Sequence, residues 1–130
     1  MNNRISISFL ILILVQALHS VEEYLGRLWE VLPPARFMSG LLSKNLETGF
    51  ILINLILFVF GMWCWRFPVC KNYLIKPIIL WFWIIVELIN GIAHPAWVLY
   101  ERAYVPGLLT APLLFIVAIY LSRQLTSRIH

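Results

Sequence analysis

The chain has 130 residues and a net charge of +4, with 62% hydrophobic and only 12% charged residues. Soluble globular chains carry about 25% charged residues, so this composition excludes a soluble domain and leaves room for one membrane-embedded domain. The ten basic side chains are scattered between apolar runs, which fits lipid-headgroup and topology charge and argues against nucleic-acid binding.

Four apolar runs predict an all-α, polytopic membrane protein: a four-helix transmembrane bundle forming one domain over residues 1–130. The spans are placed at about 5–24, 48–65, 74–94 and 103–122. Each is near the roughly 20 residues that cross a hydrocarbon core. Backbone groups in lipid must be bonded within their own segment, which selects helices, and the runs are too uniformly apolar for barrel strands.

The first run has only Ser6, Ser8 and Gln16 as polar residues between Ile5 and Leu18, and it ends in His19-Ser20-Val21-Glu22-Glu23. Arg4, the Leu/Ile-rich core and Val15-Gln16-Ala17 also fit a bacterial signal peptide with a cleavage site. Against that stands the polar pattern after Leu18, which the third run mirrors. The connection from Gly26 to Glu47 reads as a long loop containing Pro33-Pro34 and Gly40, with Trp29 and Leu41-Leu42 placed at the interface. The second run carries no charge, and Arg66-Phe67-Pro68 with Lys71 marks the next loop. Cys64 and Cys70 match no metal spacing and are expected as free thiols.

The third run is interrupted by Lys76 and Glu87 and is expected to end at His94-Pro95, because proline pushes the residue before it out of helical geometry. The fourth is again uncharged. His130 is terminal and expected to be disordered. Arg4, Arg66, Lys71, Lys76, Arg123 and Arg128 fall on one side, against Arg27, Arg36, Lys44 and Arg102 on the other. That imbalance places both termini in the cytoplasm, in a bacterial inner membrane.

Topology then groups the polar side chains. In an up-down bundle the end of the first span shares a membrane face with the end of the third and the starts of the second and fourth. His19, Glu22, Glu23, Glu87, Asn90, His94, Glu47, Asn54, Tyr104 and Thr110 all fall in that one leaflet. His19, Glu22 and Glu23 are three and four residues apart, so they project from one side of a helix. Gln16 extends that side by one turn. Trp83, Glu87, Asn90 and His94 form a second stripe, and the two stripes are expected to meet inside the bundle.

His19-Ser20-Val21-Glu22-Glu23, Glu87-Leu88-Ile89-Asn90-Gly91-Ile92-Ala93-His94 and Tyr104-Val105-Pro106-Gly107 together resemble the small membrane proteins named for an HXXEE motif. The resemblance implies a fold and a site but no reaction.

A charge at the centre of a bilayer costs about 2.5–3.5 kcal/mol on insertion scales, so it marks function or pairing. His19, Glu22, Glu23, Glu87 and His94 form a ligand set for one or two first-row metal ions (iron, zinc or manganese), with Asn90 and Tyr104 orienting the ligands. In the same set, Glu22, Glu23, Glu87, Asn90 and Tyr104 are candidates for acid/base catalysis on an apolar, lipid-soluble substrate, with Trp81, Phe82 and Trp83 as pocket walls. Both readings make an enzyme of oxidoreductase or isomerase type. An ion, proton or small-ligand transporter is the alternative from another class. Asn54 and Thr110 read as interhelical glue, and Glu47 as a carboxylate complementing a helix start. Beyond the bilayer itself no partner is indicated; an oligomer is compatible with the sequence but unsupported by it.

Overall fold

The structure, a computed structural model, describes residues 3–128. Among them there is no strand, and six α-helices follow in order. They are α1 (Asn3–Leu25), α2 (Leu28–Val31), α3 (Pro33–Leu42), α4 (Leu46–Cys64, continued by one π-helical turn, Trp65–Val69), α5 (Lys76–Glu101) and α6 (Ala111–Thr126). His130 lies outside the described residues.

Local chemistry accounts for most boundaries. Asn45 caps α4 by accepting from the Thr48 N–H at 3.1 Å, and Glu47 sits in the first turn as expected. Prolines open α3, α5 and α6, where their missing N–H costs nothing. Arg27 and Arg102 adopt left-handed backbone beside the ends of α1 and α5.

Helix α5 lies along α6, α6 along α1, and α1 along α4. Their shared core joins Ile5, Phe9, Leu12 and Ile13 of α1 to Leu80, Trp83 and Ile84 of α5 and Leu114, Ala118 and Leu121 of α6. Helices α1 and α5 meet across the bundle through long side chains, with Phe9 edge-on to Trp83 at 6.3 Å. The outer surface of α4 stays apolar and exposed at Leu55, Ile56 and Val59, a surface suited to lipid. Helices α1, α4 with its π turn, and α5 are long and apolar enough to cross a membrane. With the shorter α6 they make a four-helix membrane bundle. Cys64 and Cys70 are free, as expected.

Three boundaries differ from the sequence expectation. Helix α5 does not stop at His94-Pro95 but runs on to Glu101. Pro95 removes one backbone bond, and Trp97 and Val98 beyond it pack onto the cluster of Leu28, Trp29, Phe50 and Val105, which holds the extra turns in place. The fourth helix begins at Ala111 rather than at Ala103, and residues 103–110 form a non-helical connection containing Pro106 and a left-handed Gly107. At 16 residues, α6 is about 24 Å long. The 26–47 loop folds into α2 and α3, and Trp29 is buried rather than interfacial.

Helix α3 is seated on α4 by backbone contact, since a Cβ on Gly49 would strike the Ser39 carbonyl. Gly40 has only ordinary contact available, to Leu46 at 3.7 Å. We expect Gly49→Val to release α3 and to speed proteolysis between Leu25 and Leu46, whereas Gly40→Ala leaves cleavage unchanged or slower, since alanine gains up to about 1 kcal/mol of helix propensity. Equal cleavage of both variants would contradict this seating.

Candidate functional site

Helix α1 carries His19, Glu22 and Glu23 into the bundle at its C-terminal end, and α5 brings His94 to the same level. His19 Nε2 lies 2.9 Å from Glu23 Oε1 and 3.2 Å from His94 Nε2, while His94 Nε2 is 3.1 Å from the same Glu23 oxygen. The three atoms form a nearly equilateral triangle. All three residues are buried: His19 fully, His94 at 4% and Glu23 at 8% exposure. They are the only group among the described residues placed to share a metal ion.

Glu22 points elsewhere. Its carboxylate accepts from the Tyr104 hydroxyl at 2.5 Å, from the N–H groups of Gly107 (2.9 Å), Leu109 (3.2 Å) and Thr110 (2.9 Å), and from the Thr110 hydroxyl (2.7 Å). The connection ahead of α6 is therefore folded around a side chain of α1. Partial burial and the bond to Glu22 push the Tyr104 phenol up to about 12, so it remains a donor near neutrality. Gly107, at φ +101°, lies flat on the site. A Cβ there would fall 2.5 Å from His94 Cε1 and 2.8 Å from His19 Cε1, so both conformation and space require glycine.

The hydrogen bonds fix the proton on His19. The Thr110 hydroxyl donates to Glu22, so it accepts from His19 Nδ1 at 2.7 Å. Nδ1 therefore carries a hydrogen, and Nε2 faces Glu23 and His94. A carboxylate orienting an imidazole through its far nitrogen is the arrangement that prepares a histidine as a ligand, here with a threonine between them. The second ring nitrogen of His19 and that of His94 thus converge on one Glu23 oxygen, at 2.9 and 3.1 Å. The other His94 nitrogen, Nδ1, is buried without a partner.

Glu87 is fully buried but lies outside the triangle, deeper along α5. Asn90 Nδ2 donates to it at 3.2 Å, and Gln16, with its amide nitrogen facing the carboxylate, donates to both oxygens at 2.7 and 3.1 Å. A cavity of about 240 Å³ opens beside the triangle. Glu23, His94, Asn90, Gln16 and Asn54 form its polar side, and Leu32 ahead of α3, Ala35 and Met38 of α3, and Ile53 and Leu57 of α4 its apolar side.

The family model described as "Protein of unknown function with HXXEE motif" matches residues 10–121. The chain belongs to this HXXEE family. Within the HXXEE segment of this chain, His19 and Glu23 build the centre and Glu22 holds the connection that covers it. Ser20 donates to Asn54 of α4 at 2.7 Å, and Val21 faces outward, 53% exposed. No curated protein and no solved structure matches the HXXEE chain.

The structure brings His19, Glu23 and His94 together, sets Glu87 and Asn90 one layer deeper, and gives Glu22 and Tyr104 to the covering connection. Five donors occupy Glu22, and its carboxylate lies outside the triangle. Trp83 is core and Phe82 faces outward, 48% exposed, so neither adjoins the triangle. Asn54 is interhelical glue, as expected. Thr110 is glue as well, bonding its connection to α1, and its hydroxyl links Glu22 to His19. Its spacing of three from Gly107 was the available signal, but nothing in the sequence paired it with α1.

Replacing Glu22 tests this division of labour. Glu22→Ala abandons five donors, and each buried donor left without a partner costs about 1–3 kcal/mol. Tyr104→Phe removes one donor at the exposed edge. Thermal unfolding in detergent should show a far larger loss for Glu22→Ala than for Tyr104→Phe; similar losses would mean that Glu22 does not organise the connection.

Proposed function

We propose that this HXXEE protein is a membrane-embedded, metal-dependent enzyme that holds one first-row transition ion on His19, Glu23 and His94. The observation that carries the reading is the triangle of donor atoms, 2.9, 3.1 and 3.2 Å on a side. Neighbouring ligands about 2.1 Å from a first-row ion stand about 3.0 Å apart, so the spacing of His19, Glu23 and His94 would let the three hold one ion. Two imidazoles and one carboxylate suit iron(II), and zinc and manganese are compatible with the same donors. A bound ion would also balance the buried Glu23 carboxylate.

The substrate is a lipid-soluble small molecule. The cavity beside Glu23 and His94 has apolar walls from α3 and α4 and lies within the bundle, where a molecule dissolved in the bilayer reaches it without crossing water. Asn90 and Gln16 line the cavity and contact Glu87 behind them, so Glu87 holds the two amides in place to orient the substrate, and Glu23 is the carboxylate that faces the cavity. The bundle resides in a bacterial inner membrane with both termini in the cytoplasm, by the excess of basic residues on that face.

Elemental analysis of detergent-purified protein is the test. We expect about one equivalent of iron, zinc or manganese per chain, reduced at least tenfold in His19→Ala, Glu23→Gln and His94→Ala and retained in Glu87→Gln. Protein without metal after purification under metal-replete conditions would sink the proposal. Proton or ion flux in liposomes that Glu87→Gln abolishes would replace an enzyme with a transporter.

A further inference from the structure

The face of the bundle that carries the chain termini contains a second polar site, unconnected with the first. There, α1, the turn after the π helix, α5 and the end of α6 enclose a cavity of about 440 Å³. Its polar lining is Asn3 and Ser6 of α1, Cys70 and Asn72 of the turn, Lys76 of α5 and Arg128 after α6. It lies about 20 Å from the His19–Glu23–His94 triangle, the rise along α1 from Ser6 to His19.

Charge makes this cavity unusual. Lys76 is 91% buried, and its ammonium group has one protein partner, the Asn72 side-chain oxygen at 3.2 Å. Among the described residues, no carboxylate lies within ion-pair distance of Lys76 or Arg128. The sequence explains why. All six acidic residues are glutamates: Glu22, Glu23, Glu30, Glu47 and Glu101 belong to the opposite face, and Glu87 to the middle of α5. An ammonium and a guanidinium lining one cavity repel each other until an anion enters. The other lining groups, a hydroxyl, a thiol and amides, add hydrogen-bond donors and no negative charge.

We infer that this cavity binds a phosphoryl oxyanion between Lys76 and Arg128, with the Ser6, Asn72 and Asn3 side chains completing the cradle. The guanidinium matches two phosphate oxygens at once and the ammonium adds a point charge. The phosphoryl group has two sources, the headgroup of an anionic phospholipid in the adjoining leaflet or free phosphate in the aqueous phase.

Two arms separate the sources. In the first, wild-type protein is delipidated, reconstituted in nanodiscs of phosphatidylglycerol mixed with phosphatidylcholine, and examined by native mass spectrometry for retained lipid. In the second, inorganic phosphate is titrated against detergent-solubilised protein while maleimide alkylation of Cys70 is followed, since Cys70 lines the cavity and is exposed. Retention of one phosphatidylglycerol per chain, reduced at least tenfold in Lys76→Gln and Arg128→Gln, establishes a lipid headgroup. Slowing of Cys70 alkylation by phosphate, at least tenfold and lost in the same variants, establishes free phosphate. Lys76→Arg keeps the charge and should keep the binding, which separates loss of a ligand from loss of fold. Neither lipid retention nor phosphate protection in the wild type, or either effect unchanged in both glutamine variants, overturns the inference. The metal content of the triangle plays no part in either arm, so this proposal and the proposed function fail separately.

Discussion

The carboxylate of Glu22 is the interaction on which the rest of the site depends. Non-helical backbone between two membrane helices must find partners for its N–H groups, because lipid offers none. Residues 103–110 find them on one side chain of α1, which accepts from three backbone N–H groups and two hydroxyls. That anchorage shortens α6 and lays Gly107 over the two imidazoles. It also sets the Thr110 hydroxyl against His19 Nδ1, so the same carboxylate that folds the connection orients the His19 ring.

The second constraint is electrostatic. Glu23, His19 and His94 converge within 3.2 Å in a buried space. A buried carboxylate is tolerated where partners compensate its charge, and the two imidazoles are the partners at hand. The hydrophobic effect does little to hold membrane helices together. Close packing does more: Phe9 against Trp83 ties α1 to α5, and Ser20 to Asn54 ties α1 to α4. These ties hold the donor atoms in register.

Much of this was legible from residue spacing. A step of four from His19 to Glu23 puts both on one helix face, and up-down topology puts the end of α5 beside them, so the meeting of His19 and Glu23 with His94 follows from period and topology alone. The separation of Glu22 from Glu23 does not follow, since adjacent carboxylates look alike in a sequence while their side chains diverge by about 100° around a helix. The span from Ala103 also misled. It is uncharged and apolar enough to read as helix throughout, and only the hydrogen bonds to Glu22 show why Tyr104 to Thr110 leave helical geometry. Pro95 misled in the opposite direction, because packing of Trp97 and Val98 outweighs one missing backbone bond.

The sequence by itself determined the membrane class, the four helices and the end of the bundle that holds the polar cluster, because hydrophobic length and helical period are local properties of a chain. Only the tertiary structure decided which polar residues touch. It gave Glu23 to the imidazoles and Glu22 to the backbone, set Thr110 between Glu22 and His19, and left Lys76 and Arg128 lining a cavity that, among the described residues, no carboxylate approaches. Those outcomes depend on the rotation of each helix and the path of one connection, which are fixed by contacts between residues some 60 to 90 positions apart.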